Sequence, residues 1–274
     1  MRHGWTVLKL GGELLEEPAR MRELAAAIAR AALAVPLVVV HGGGREIDAA
    51  LKRAGLPKQQ VDGVRVTDAP TLGVVIEVLA GAINTRFVAA INAAGGQAVG
   101  LTGADAGVAL VDAAAPHTGV DGAVTDLGFV GRPIGSRWPR LLLDLGADGY
   151  LPVVASIGMS VDGALYNVNA DMMAAHLAGR LTASRLVIAG ATPGVLDEDG
   201  RTIPRLDRRS AGALIATGTA SAGMIAKLRA CQDALENGAA EVLLIDGRTG
   251  EAIEHVVTAT DDRLPADALT RMVA

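Results

Sequence analysis

Residues 37–51 read LVVVHGGGREIDAAL: four apolar residues, a histidine, three consecutive glycines, then a run of helical character. A continuous apolar run, as opposed to an alternating one, marks a strand buried on both faces, as in a parallel sheet covered by helices. Contiguous glycines at its end allow close approach by a ligand, and the helix that follows offers unsatisfied N–H groups at its positive end. The spacing matches neither common nucleotide loop: G-x-G-x-x-G is absent, and so is the G-x-x-x-x-G-K-[ST] of a P-loop. An anion-binding turn and a plain tight turn both fit the stretch. His41 reads as an acid–base group or, more simply, as a hydrogen-bonding residue at a strand end.

Similar apolar runs recur at 5–10, 97–101, 151–154, 185–189 and 241–245. Between them lie segments rich in alanine, leucine and charge, at 18–33, 44–54, 70–94, 136–145, 170–181, 208–216 and 221–237, which read as helices. The alternation predicts an α/β fold with a mainly parallel sheet. Stretches punctuated by glycine and aspartate at 56–66 and 108–130 read as hairpins projecting from the sheet. A third hairpin is expected at 156–167, with Asp162-Gly163 as its turn. Two lobes would divide near Gly179, into 1–178 and 179–274.

The 274 residues carry a net charge of −5 and only 2% aromatic residues, which argues against nucleic acid as a partner. Cys231, the single cysteine, has no intramolecular disulfide partner, and no Cys/His spacing resembles a zinc site. With no leader-like segment and no uninterrupted run of about 18 apolar residues, the expectation is a cytoplasmic protein without a membrane partner. Four lysines, Lys9, Lys52, Lys58 and Lys227, stand against 21 arginines. A compact ammonium among phosphate oxygens is one role that arginine's planar fork fills poorly. Lys52 and Lys58 lie in polar surroundings and carry no further signal.

Five short motifs could carry chemistry. In VLKLGGELL, Lys9 lies in the strand and Gly11-Gly12 ends it, which makes an anion site or a structural turn. HGGGREID is the second. In GVRVTD, Arg65 between two valines could grip a carboxylate or form a surface ion pair. In YNVNADMM, Asn169 or Asp171 can cap the helix that begins there, whereas Asn167 is free to bond a ligand amide. In SAGMIAKLRA, Lys227 stands near a helix N-terminus, where a cation is unfavourable unless an anion accompanies it.

In this order and spacing, K-x-G-G, H-G-G-G, G-x-R-x-T, N-x-N-A-D and G-M-I-x-K resemble the amino acid kinase family, from Trp5 to about Gly247, and within it the branch acting on N-acetyl-L-glutamate. The resemblance implies a three-layer αβα sandwich, with the acyl-amino-acid acceptor and dimerisation on the first lobe and ATP on the second. It implies Lys9 and Lys227 flanking the phosphoryl group, with Asp171 holding both. Gly43 and Gly44 would meet the acceptor carboxylate and the phosphoryl group, Arg65 the α-carboxylate and Asn167 the acetamido group. Gly12 and Gly44 would donate N–H groups to phosphate oxygens. ATP is expected against Gly11, Gly12, Ala191, Pro193, Gly194, Val195, Leu196, Thr219 and Ser221. Mg2+ would travel on the nucleotide, with no metal ligands from the protein.

The chain departs from the family pattern at Ala191, where an aspartate is usual, and its ending LPADALTRMVA lacks the usual G-T-x-[IV] close. The first strand begins near Trp5, without the extra N-terminal helix of arginine-inhibited hexameric relatives, so the expectation is an arginine-insensitive homodimer. The function expected is phosphorylation of N-acetyl-L-glutamate by ATP. The alternatives are a kinase for carrier-protein-linked aminoadipate or N-succinylglutamate, and a catalytically silent ligand-binding relative.

Overall fold

The computed structural model describes residues 4–119, 122–135, 138–217, 222–260, 263, 264 and 268–273, with backbone only at 216, 217 and 222. The first part of the chain comprises β1 (Thr6–Leu10), α1 (Pro18–Ala34), β2 (Leu37–His41), α2 (Gly44–Arg53), β3 (Gln60–Val61) and β4 (Val64–Arg65). There follow α3 (Ala69–Ile76), a π-helical segment (Glu77–Ile83), α4 (Asn84–Ala93), β5 (Ala98–Thr102), β6 (Val111–Ala113), β7 (His117–Thr118), β8 (Val124–Thr125) and β9 (Val130–Pro133). Next come α5 (Arg140–Ala147), β10 (Leu151–Ala155), β11 (Ile157–Met159), β12 (Leu165–Val168), α6 (Ala170–Arg180) and β13 (Arg185–Gly190). The chain ends with β14 (Arg205–Leu206), α7 (Arg208–Thr217), α8 (Ala222–Glu236), β15 (Glu241–Asp246), α9 (Gly250–Thr258) and β16 (Leu269–Val273).

The six apolar runs all become strands of one sheet, ordered β14-β16-β15-β13-β1-β2-β10-β5. Their mutual pairings are parallel, and β16 alone runs antiparallel to its neighbour β15. The alternation of side chains across a strand sorts each run onto two cores. Leu8, Val39, Val153, Val187 and Leu243 enter the core beneath α1, α4 and α9. Val7, Val38, Val154, Leu186 and Val242 enter the other, beneath α6 and α8. This is the three-layer α/β arrangement expected.

Between α3 and α4 the helix is continuous from Ala69 to Ala93 and buries Thr71, Val75, Leu79, Ile83, Phe87 and Ile91, a strict four-residue spacing. A 3.6-residue helix would rotate such a stripe off the sheet. The π-helical turn at Glu77–Ile83, bonded i to i+5, widens the helix and keeps the stripe aligned. By length and composition this helix of 25 residues, with mean hydropathy 1.8 over its most apolar 18, could cross a membrane. Glu77, Asn84 and Arg86 interrupt its apolar run, so the sequence expectation passed over it.

The hairpins are present: β3–β4 and β7–β8 are two-stranded, and β11–β12 turns through Ser160–Ala164. β11 and β12 also join β9 and β6 in a second, four-stranded sheet, which was not anticipated. The helix expected at 136–145 starts only at Arg140, because Pro139 disfavours a helical Trp138. α9 and β16 were not anticipated either. α9 is capped by Thr249, whose hydroxyl accepts from Ala252 N. β16 lays LTRMV between β15 and the edge strand β14.

Candidate active site

The parallel strands deliver their C-terminal ends to one edge of the sheet, the side where open α/β sheets bind ligands. Lys9 is the fourth residue of β1, on the face of Val7, and therefore points toward α6. It is 6% exposed, and a buried ammonium requires a counter-charge. Asp171 supplies it, with Lys9 Nζ 2.8 Å from Asp171 Oδ1. Lys227, on α8 packed against α6, approaches the other oxygen, Oδ2, at 3.7 Å. Burial opposes ionisation of Asp171, but the two ammonium groups outweigh it and hold its carboxyl below the usual range.

Asn169 explains how Asp171 is free for this role. Its side chain caps α6, accepting from Asp171 N at 2.8 Å and Met172 N at 3.2 Å. The capping reading thus holds for Asn169, and the Asp171 carboxylate is left to the lysines.

The glycines bring two loops together. A Cβ on Gly12 would lie 2.6 Å from Gly43 Cα, and one on Gly42 would sit 3.3 Å from Ala170 Cβ. A Cβ on Gly43 would overlap Ile83 Cδ1, with Leu79 Cδ2 at 2.9 Å, so the room there is taken by protein atoms. Gly44 faces open space at the first position of α2, a helix with no side-chain cap on its N-terminal N–H groups.

Arg65, on β4, is buried, not on the surface. Its Nη2 donates to Gly44 O at 3.2 Å and to Asp48 Oδ1 at 2.5 Å. Its Nη1 is buried without a hydrogen-bond partner. Asn167 donates through Nδ2 to Thr67 Oγ1 at 3.1 Å, and Thr67 in turn donates to Arg65 O. Lys9, Gly11, Gly12, Gly43, Gly44, Arg65, Asn167 and Asp171 all line one cavity of about 240 Å³. A larger one of about 380 Å³ lies at the opposite strand ends, where Glu241 already holds Arg185 and Arg271 at 2.6 and 2.8 Å.

The turn carrying Ala191, Pro193, Gly194, Val195 and Leu196 lies outside the smaller cavity, at the end of β13 next to β1. Val195 N donates to Thr270 Oγ1 at 2.8 Å, which fixes this turn to β16. Ala191 and Leu196 are exposed. Thr219 and Ser221 lie outside the described residues.

His41 takes the simpler of its two readings, a hydrogen-bonding residue at a strand end, with Nδ1 3.2 Å from Gly42 O. It is fully buried, off the cavity, with Nε2 3.0 Å from Asn84 Nδ2, and burial lowers its pKa to about 4. It is a neutral core residue joining β2 to the long helix. The sequence reading missed Asp48 and Glu13. Asp48 stands one helical turn after Gly44, which was a usable signal, but its partner Arg65 is remote in sequence. Glu13 lines the cavity and folds its carboxylate over Gly11, toward Gly190. Lys58 pairs with Asp48 at 2.7 Å, so it does carry a signal, while Lys52 is exposed.

The profile of the amino acid kinase family matches residues 4–246. The chain belongs to the amino acid kinase family. Its relatives there include the acetylglutamate kinase of Sphingopyxis alaskensis, 41% identical over 253 residues, covering 90% of this chain and 83% of that one. That of Polynucleobacter asymbioticus is 42% identical over 262 residues, covering 92% and 84%. Among solved structures, N-acetylglutamate synthase from Neisseria gonorrhoeae, complexed with coenzyme A and N-acetyl-glutamate, superposes with a TM-score of 0.81 at 24% identity. All of this chain is covered there, but it spans only 60% of that chain's length. Carbamate kinase from Giardia lamblia, bound to citric acid, gives 0.66 at 14% identity, over 99% and 98% of the two chains. At these identities the structures speak for the family fold alone.

Proposed function

We propose that this amino acid kinase phosphorylates the side-chain carboxylate of N-acetyl-L-glutamate with ATP, giving N-acetyl-L-glutamyl 5-phosphate, a step of arginine biosynthesis. The acetylglutamate kinases to which it is 41 and 42% identical support the substrate. The observation that carries the chemistry is the buried Lys9–Asp171 pair, joined by the partly exposed Lys227, at the head of a cavity that also holds Arg65.

The acceptor carboxylate, with a pKa of about 4.3, is ionised at neutral pH, so the reaction needs no general base. Its difficulty is the approach of two anions. Lys9 and Lys227 flank the group in flight and offset the charge on its equatorial oxygens, while Asp171 fixes both ammonium groups. The N–H groups of Gly12 and Gly44 donate to phosphate oxygens, and Gly43 and Gly44 also meet the acceptor carboxylate. Arg65 Nη1 takes the α-carboxylate, and Asn167 accepts from the acetamido N–H.

ATP lies along Gly11 and Gly12 and the turn Ala191, Pro193, Gly194, Val195 and Leu196, with Thr219 and Ser221. Ala191 contributes backbone groups in place of an aspartate. Among the described residues no cluster of three His, Cys, Asp or Glu could hold a metal, and Asp171 is engaged by lysines, so the donor set fits Mg2+ brought by the nucleotide. Glu13, half-buried in the cavity, is the carboxylate placed to face it. Bound Mg2+ offsets phosphate charge.

The same reading assigns 1–178 to the acyl amino acid and 179–274 to the nucleotide, in a cytoplasmic homodimer. A coupled ADP-release assay tests the function. The highest kcat/KM is expected for N-acetyl-L-glutamate over N-succinylglutamate and carrier-protein-linked aminoadipate, and no turnover with any of them overturns the reading.

A further inference from the structure

We infer that Asp48 is the positioning residue that aims Arg65 at the substrate α-carboxylate, with Lys58 as its counter-ion. This rests on the proposed function and adds to it how the carboxylate is recognised. Arg65 is 8% exposed, and a guanidinium so buried takes its orientation from the acceptors around it. Both acceptors fall on one nitrogen: Nη2 bonds Asp48 Oδ1 at 2.5 Å and Gly44 O at 3.2 Å. The other nitrogen, Nη1, is buried with no hydrogen-bond partner. Buried donors without partners are rare, and Nη1, on a residue lining the cavity, is the donor left for a ligand acceptor.

The charges suit a single carboxylate. Arg65 and Asp48 cancel, and Lys58, 2.7 Å from Asp48 Oδ2 and half exposed, restores one positive charge. Asp48 also lies one turn along α2 from Gly44, so the guanidinium is tied to the backbone that begins that helix. Removing the Asp48 charge leaves Arg65 free to move off the acceptor's carboxylate, and small losses of positioning reduce productive binding steeply.

The test is Asp48→Asn in the intact enzyme, with Lys58→Gln beside it. Asp48→Asn is expected to raise KM for N-acetyl-L-glutamate about tenfold or more, with KM for ATP unchanged and a smaller change in kcat. Lys58→Gln, an exposed change that leaves the fold intact, is expected to raise the same KM about two- to threefold, in line with a partly screened charge. A purely structural role for Asp48 would alter melting temperature and both KM values together. Unchanged acetylglutamate KM in both variants overturns the inference. If Asp48→Asn does not fold, Lys58→Gln decides, and wild-type KM there overturns it. Failure of the wild-type enzyme to bind or phosphorylate acetylglutamate, in calorimetry and turnover, would instead overturn the functional reading.

Discussion

Lys9 is a cation in the middle of an apolar strand, a position that folding tolerates only with a counter-charge beside it. Asp171, itself almost inaccessible, provides that charge, and the pair is the kind whose rupture leaves an uncompensated buried ion. Arginine at this position keeps the charge but exchanges a compact ammonium for a planar fork too wide for the site. Lys9→Arg is therefore expected to lose most of kcat while keeping its far-UV circular dichroism, and wild-type turnover in that variant would refute the role given to Lys9. The direction of Lys9 was legible in the sequence, since it shares its strand face with Val7. For Asp48 only its place one turn after Gly44 was legible, because a carboxylate on a helix looks like ordinary surface charge until the hairpin carrying Arg65 folds back on it.

At the scale of elements, the three glycines of HGGG do three different things. Gly42 lets α6 approach, Gly43 accommodates the long helix, and Gly44 faces open space. Gly12 packs against Gly43 backbone to backbone, where nothing flexible can give way. Urea unfolding of alanine variants should therefore rank them. Gly12→Ala is expected to be the most destabilising, and Gly43→Ala to lose about 1–3 kcal/mol by overpacking Ile83 and Leu79. Gly44→Ala should stay within about 0.5 kcal/mol of wild type, and its effect should fall on substrate KM. Equal stability of all three would contradict this packing. The sequence placed the strand and the helix around these glycines to within a residue, yet composition alone could not say which glycine meets protein and which meets space. The π-helical turn was similarly hidden, although the four-residue spacing from Thr71 to Ile91 was present to be read.

The whole molecule stores a pH dependence in two histidines, the buried His41 and the half-buried His176. His41 and His176 both have folded-state pKa values lowered to about 4, first by burial, with Arg180 adding to the effect at His176. The unfolded chain takes up protons below about pH 6.5 while the folded chain does not until about pH 4, so stability falls as pH falls through that window. For His41 the loss between pH 7 and 5 is roughly 2 kcal/mol. Urea titrations at the two pH values check it, with a shallower dependence expected for His41→Gln; stability that is flat or rises on acidification would overturn the neutral burial of these rings. The order of strands and helices, the burial of both strand faces and the scarcity of lysine were set by local features of the chain, because periodicity and turn chemistry act over a few residues. The meeting of Lys9 with Asp171 and Lys227, the grip of Asp48 on Arg65 and the burial of His41 came from folding, because each joins residues that only the parallel stacking of distant strands and the crossing of their helices bring within hydrogen-bonding reach.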